Sequence, residues 1–315
     1  MDLFRALILG LVQGATEFLP ISSSAHLVLV PWLLGWGNPG LAFDTMAHWG
    51  TLAAVVITFR HDLAELARAW LASPVEHGRW KMDEPPPSIF QFPLSILQRA
   101  LASDDKRSRG VWVKAGNKLS ERDRLSPRRR IAWFILVGTV PAALAGFLFE
   151  DFFESLFDSP LQVAALLLVT GFILILSELL GNRWRDMESL ALLDALLIGL
   201  AQAAAIAPGI SRSGATIAVG LLVGLRREAA ARYSFLLATP IIFGAGLLQL
   251  LRLAQANPAA SALPPLAIGF LAAALSGYLA IRFLLAYLQR GRLYPFALYC
   301  WAAGLFVLGR IVLRS

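Results

Sequence analysis

Two short polar stretches interrupt an otherwise apolar chain, and they are partial copies of one another. Gly10-Leu11-Val12-Gln13 leads to Ile21-Ser22-Ser23-Ser24, and Gly199-Leu200-Ala201-Gln202 leads to Ile210-Ser211-Arg212-Ser213. Within these quartets six residues are identical at a constant offset of 189, and a proline (Pro20, Pro208) lies near the same place in each. An internal duplication built on broken apolar helices points to a binding site near the bilayer midplane. Backbone that leaves the helix at that depth is tolerated only where protein buries it or it lines a wet cavity.

Composition places the chain in the membrane. It is 57% hydrophobic and 16% charged, with a mean hydropathy of +0.64, and several runs of about 20 residues are almost free of charge, the length needed to cross hydrocarbon. The net charge of +7 does not indicate nucleic acid, because thirteen of the 28 lysines and arginines lie within residues 72–130, against seven acids. That concentration is the bias of a cytoplasmic loop. Cys300 is the single cysteine, so no internal disulfide forms, and its apolar surroundings predict a small buried side chain. The N-terminal stretch has no small-residue cleavage site and carries Gln13 and Glu17, so no removed signal peptide is expected.

Apolar segments near 43–70, 131–149, 160–181, 229–252, 263–288 and 293–313 are each long enough to span hydrocarbon as helices. Residues 3–35 and 189–225 differ: each has the length of two short helices joined at a Pro/Ser-rich bend, the pattern of a re-entrant hairpin. The basic segment 72–130 is placed inside. Residues 131–182 hold no Lys or Arg, and Glu150, Asp151, Glu154 and Asp158 make the following loop acidic, hence outside. Arg183 and Arg185 return inside, Arg226 and Arg227 stay inside, 253–262 lies outside, and Arg290 and Arg292 lie inside. This order closes only if 189–225 enters and leaves on one side and 3–35 dips in from the other.

The predicted fold is therefore an all-α polytopic membrane protein with an inverted-topology repeat, each half one re-entrant helix hairpin plus three transmembrane helices. One integral membrane domain covers 1–315. Repeat one takes 1–71 and 129–182, repeat two takes 188–315, and 72–128 is a cytoplasmic loop insertion. Pro85-Pro86-Pro87 and alternating charge clusters predict surface helix and flexible linker in the insertion, with Phe90, Phe92 and Leu94 on the membrane surface and no chemistry.

The bends carry the chemistry. Gln13 and Glu17 stand at i and i+4 on one helix face, and Pro20 ends that helix before Ser22, Ser23, Ser24 and His26. An uncompensated carboxylate in hydrocarbon costs about 3 kcal/mol even on the translocon scale, so Glu17 is expected to face a polar cavity or a cation. Capping or ion pairing for packing alone is the plainer alternative. The second bend, Ala207 to Thr216, offers glycine backbone, hydroxyls and the planar guanidinium of Arg212 at a helix start, a combination suited to phosphate. Ser and Gly are also ordinary caps, so this bend gains its weight from standing opposite the Glu/His cluster in a duplicated frame.

Gln13-x-x-x-Glu17-Phe18-Leu19-Pro20-Ile21-Ser22-Ser23-Ser24-Ala25-His26 and Pro208-Gly209-Ile210-Ser211-Arg212-Ser213-Gly214-Ala215-Thr216 resemble the two signature motifs of the bacitracin-resistance type of undecaprenyl-diphosphatase. The resemblance extends to Phe43-Asp44 through Gly50-Thr51-Leu52-Ala53, to Gly138-Thr139-Val140-Pro141-Ala142-Ala143 and to Arg226 through Arg232, essentially the whole chain outside 72–130. The long loop departs from the family pattern. So does Gln13, where many relatives carry glutamate, which leaves Glu17 as the main carboxylate.

The resemblance implies removal of the terminal phosphate from a C55 polyprenyl diphosphate lipid. It further implies a multi-pass protein of the bacterial inner (plasma) membrane with a site open to the periplasmic side, recycling the carrier for peptidoglycan synthesis and conferring bacitracin resistance. The bilayer and the lipid are the expected partners, and a homodimer is left open. Phosphoryl transfer needs charge neutralisation, an oriented nucleophile and a stabilised leaving group. The catalytic set is Glu17, Ser23, His26 and Arg212, with Ser22, Ser24, Ser211, Ser213, Gly214 and Thr216 as the phosphate cradle. Ser23 is the preferred nucleophile because the resemblance implies it; Ser22, Ser24 and direct attack by water stay open. His26 would shuttle a proton or orient the hydroxyl, and Glu17, with Gln13 beside it, would hold a divalent cation, Mg or Ca, or act as base.

Other polar residues have plainer readings. Asp44 and His48, an i, i+4 pair near the proposed outer mouth, read as interfacial ahead of the alternative, a pair that supports the site from behind; His61 and His77 read as solvated, and Trp32, Trp36 and Trp49 as interface anchors. A polyprenyl-phosphate flippase or transporter would use the same repeats but needs no nucleophile or proton shuttle. A type 2 phosphatidic acid phosphatase needs a histidine shortly after its Ser-Arg motif, and this chain has none beyond His77.

Overall fold

The computed structural model describes residues 1–71, 121–255 and 263–313. The described residues form α1 (Leu3–Phe18), α2 (Ser23–Leu34), α3 (Leu41–Thr58), α4 (Arg60–Leu71), α5 (Glu121–Leu148) and α6 (Glu150–Phe157). They continue through α7 (Pro160–Leu180), α8 (Leu192–Ala204), α9 (Arg212–Leu222), α10 (Arg227–Gln255), α11 (Leu263–Leu288) and α12 (Tyr294–Val312). Six are long and apolar enough to cross a membrane: α3, 127–148 of α5, α7, 227–252 of α10, α11 and α12.

These helices follow the expected spans, with three differences. The segment expected near 43–70 is two helices, because the chain turns at Phe59 and α4 opens on Arg60-His61-Asp62, which hydrocarbon would not accept. Helix α5 begins at Glu121, ahead of the span expected from 131, so the last basic residues before that span are helical. The acidic loop holds a short helix, α6, whose Phe152 and Phe157 are exposed beside its acids, the character of a helix lying in the membrane interface. The readings made for 72–120, including Phe90, Phe92, Leu94 and His77, lie outside the described residues, as does most of 253–262.

Each polar bend separates two short helices. Helix α1 ends at Phe18 because Leu19, ahead of Pro20, is extended (φ −66°, ψ 141°). Helix α2 restarts under the cap of Ser22, whose Oγ accepts from Ala25 N at 3.3 Å. In the second bend Ser211 Oγ accepts from Gly214 N at 3.0 Å and caps α9. Phe18, Leu174, Ile217, Phe235 and Ile281, from α1, α7, α9, α10 and α11, belong to one core cluster, which anchors the helices behind both bends in the same packing unit.

Helix α1 packs along α11, and α8 packs along α5. Both crossings bring glycine onto glycine: a Cβ on Gly10 would lie 2.6 Å from the Gly269 carbonyl oxygen, and one on Gly199 would lie 2.3 Å from that of Gly138. Lipid gives helices no hydrophobic reason to associate, so close backbone approach supplies the attraction. Gly199→Ala is therefore expected to destabilise by about 1–3 kcal/mol, the range for overpacking a tight contact. Gly244→Ala, at a position with open space around it, should leave the unfolding midpoint in detergent unchanged or raised. Equal midpoints for the two variants would refute the close-packed crossing.

Candidate active site

The first bend is built around a strained serine. Ser22 sits at φ 68°, ψ 97°, a left-handed conformation that a residue with a side chain adopts at a cost of about 1–3 kcal/mol. Several contacts hold it there. Its Oγ caps α2 and lies 3.2 Å from Ser24 Oγ, while its carbonyl accepts from His26 N at 3.3 Å and from His26 Nδ1 at 2.7 Å. The turn points Ser23 back toward α1, where its hydroxyl donates to Glu17 Oε2. Gln13 Nε2, one helical turn earlier, donates to the same oxygen at 2.9 Å.

The second bend supplies the counter-charge. Gly209 takes φ 109°, and a Cβ there would lie 2.5 Å from Val163 O, so glycine is required on both counts. Thr170 Oγ1 donates to Gly209 O at 2.9 Å and accepts from Ser211 N at 3.0 Å, fixing the bend to α7. Arg212 Nη2 then reaches Glu17 Oε1 at 2.6 Å, with the glutamate 6% exposed. Ser213 Oγ donates to Leu19 O at 3.1 Å, a second link between the bends. Leaving either member of such a pair alone in the interior costs about 3–5 kcal/mol.

Glu17, Ser22, Ser23, Ser24, Ser211 and Arg212 line a cavity of about 780 Å³, a volume that suits a small-molecule site. Leu27, Pro31, Trp32, Ile206 and Ile210 give it an apolar wall, and Glu154 and Asp158 also line it. The expected cradle is thus only partly in the cavity. Ser213, Gly214 and Thr216 turn inward: Gly214 N is spent on Ser211 Oγ, and Thr216 Oγ1 donates to Arg212 O at 2.7 Å and lies 2.6 Å from Ser234 Oγ.

Three placements differ from the reading of the sequence. Asp44 and His48, read as interfacial, line the cavity, with His48 Nδ1 2.7 Å from the Asp44 carbonyl. Gln249, on α10, also lines it and accepts from Thr45 Oγ1 at 2.7 Å; nothing in its sequence context singled it out. His26 is not among the lining residues. Its Nδ1 faces the Ser22 carbonyl, which only accepts, so Nδ1 carries the proton, and Nε2 lies 2.7 Å from the Tyr299 hydroxyl of α12.

A metal would find sparse ligands. Among the described residues no group of three or more His, Cys, Asp or Glu side chains is placed to hold one. Beside Glu17, the Gln13 amide oxygen is buried without a hydrogen-bond partner.

A family model described as "Bacitracin resistance protein BacA" matches residues 6–90 and 105–306. Three relatives, each named undecaprenyl-diphosphatase, match almost end to end. The protein from Rubrobacter xylanophilus is 41% identical over 315 residues, covering 99% of this chain and 100% of its own. That from Geobacter sulfurreducens is 41% identical over 316 residues, covering 100% of both, and that from Thermomicrobium roseum is 40% identical over 315, covering 98% of both.

Proposed function

The chain belongs to the bacitracin-resistance family of undecaprenyl-diphosphatases, and from that premise we propose how its cavity works. It is a hydrolase that converts undecaprenyl diphosphate to undecaprenyl phosphate and inorganic phosphate. The observation that carries the reading of its site is the continuous line from Ser23 through Glu17 to Arg212, which joins a hydroxyl, a carboxylate and a guanidinium across the two bends.

In this reading the terminal phosphate enters beside Arg212, with the Ser22, Ser24 and Ser211 hydroxyls around it. Arg212 shares its donors between Glu17 and the phosphate oxygens and stabilises the charge that builds on them. Ser23 Oγ attacks the terminal phosphorus, and its proton passes to Glu17. The bond from that phosphorus to the bridging oxygen breaks, and undecaprenyl phosphate leaves with the electron pair. Water then attacks the phosphoserine and the bond from phosphorus to Ser23 Oγ breaks; Ser23 Oγ recovers the proton from Glu17, and inorganic phosphate leaves with both protons of the water. The apolar wall around Leu27, Pro31 and Trp32 receives the first isoprene units.

For the divalent cation, Mg or Ca, Glu17 and the Gln13 amide oxygen would be the protein ligands. So thin a donor set suits an ion brought in largely on phosphate oxygens. It would supply neutralisation of charge on the phosphates.

The fold reading extends the same way. Repeat one (1–71 and 129–182) and repeat two (188–315) are taken as inverted, each with a re-entrant hairpin. The exchange of partners supports this: α1 of the first half lies on α11 of the second, α8 of the second lies on α5 of the first, and each crossing is glycine on glycine. In the same reading the site opens to the periplasmic side of the inner membrane and 72–128 lies in the cytoplasm, which the order of basic and acidic segments supports.

Purified protein should release phosphate from undecaprenyl diphosphate, acid quench should trap phosphate on Ser23, and Ser23→Ala should turn over about 10³-fold more slowly or worse. A Ser23→Ala enzyme at the wild-type rate would hand the attack to water.

A further inference from the structure

We propose that Tyr299 is a positioning residue for this reaction, acting through His26 to hold the strained turn that aims Ser23. The inference rests on the reading of Ser23 and Glu17 as reacting groups, and it assigns His26 to the architecture of the turn.

The left-handed Ser22 conformation needs support, and its carbonyl is the handle. His26 Nδ1 grips that carbonyl at 2.7 Å, a shorter contact than the 3.3 Å from the His26 backbone N–H. An imidazole ring pivots about its bond to Cβ unless its far nitrogen is also held. Tyr299 does this: its hydroxyl lies 2.7 Å from Nε2, and the two rings are nearly parallel, 11° apart with centroids at 5.7 Å. With the Nδ1 proton committed to Ser22, Nε2 accepts from the tyrosine. Neither ring nitrogen is directed at the cavity, which His26 does not line.

The support reaches further than one residue. Cys300, next to Tyr299, places Sγ 3.7 Å from the Pro20 carbonyl, so two consecutive residues of α12 meet the first hairpin, one at the bend and one at His26 in the first turn of α2. Helix α12 packs along α7, joined by Trp301 Nε1 donating to Leu168 O at 3.1 Å. Helix α7 in turn carries Thr170, which grips the second bend. The pair α7–α12 therefore holds both bends from behind, and the Ser23–Glu17–Arg212 line is drawn between two points fixed to one support.

The chemistry depends on that registration, since a misplacement of about 1 Å can cost about 10²-fold in rate. Tyr299→Phe keeps the ring and removes the hydroxyl at a half-exposed position, so the protein should elute and unfold as wild type. Its kcat on undecaprenyl diphosphate should fall about tenfold to a hundredfold with KM within about twofold. His26 gives the second arm. Asparagine places its amide nitrogen where Nδ1 stands and can still grip Ser22, whereas glutamine places its nitrogen where Nε2 stands and cannot. His26→Asn should retain at least about ten times the turnover of His26→Gln. Wild-type kcat in Tyr299→Phe, or equal loss in the two His26 variants as a proton shuttle would give, overturns the proposal. Neither outcome touches the role of Ser23, which fails separately if Ser23→Ala turns over normally.

Discussion

Glu17→Gln should yield a folded protein that releases phosphate about 10²–10⁴-fold more slowly, the range for loss of a positioned base, with KM unchanged or lower. Glutamine has the size of glutamate, and its one side-chain oxygen can still accept from Ser23, so the turn survives. It cannot take the serine proton. It also frees Arg212, which in the resting site is held by Glu17 at 2.6 Å, and a freed guanidinium binds phosphate more readily. Arg212→Ala should behave differently, raising KM and lowering kcat by about 10²–10³-fold, because it removes a donor aimed at the charge of the transition state. The double variant should be little worse than the poorer single one, since residues acting as a unit are not additive. Phosphate release in detergent micelles over a range of lipid concentrations separates these outcomes. Glu17→Gln within tenfold of wild type would exclude Glu17 as the base.

The parts of this site that were legible in the sequence are the ones that break an apolar pattern. Glu17, the serines and Arg212 stand out because nothing apolar requires them, and Pro20 and Pro208 mark where the helices stop. Resolution within the second bend was lost for a geometric reason. Ser213 and Thr216 stand beside Arg212 in the chain, but a helix turns about 100° per residue, and α9 buries 213 and 216 on one face while Arg212 points to the cavity. Asp44 and His48 gave a real signal, an i, i+4 pair near a helix start, yet an interfacial pair looks the same from spacing alone. Tyr299 and Gln249 gave none, since a lone polar residue in an apolar span has no periodicity to place it. The span expected through residue 70 stops at Thr58 because Arg60-His61-Asp62 break the apolar pattern, and Asp62 accepts from Arg232 Nη2 at 2.9 Å.

Glu178→Ala is expected to destabilise the protein by about 3–5 kcal/mol, the cost of stranding a buried cation, and to lower its unfolding midpoint in detergent by about 5–8 °C. Glu178 lies in the last turn of α7 and is 4% exposed. Arg227 meets it as a fork, Nε to Oε1 at 2.8 Å and Nη2 to Oε2 at 2.6 Å; Leu293 N donates to Oε1 at 2.8 Å, and Arg183 Nη2 lies 3.1 Å from Oε2. One carboxylate thus ties the end of α7 to the start of α10 and to the residue that precedes α12. The arginines that mark the inner face in the charge order are, at this point, partners of a buried acid. Removing the acid leaves Arg227 without its fork, whereas Glu178→Ala combined with Arg227→Ala removes the stranded cation and should recover part of the loss. Turnover per folded molecule at low temperature should stay near wild type, because the carboxylate lies outside the cavity. A midpoint within about 2 °C of wild type, about 1.3 kcal/mol for a chain of this size, would show that water enters this end of the bundle and solvates the arginine.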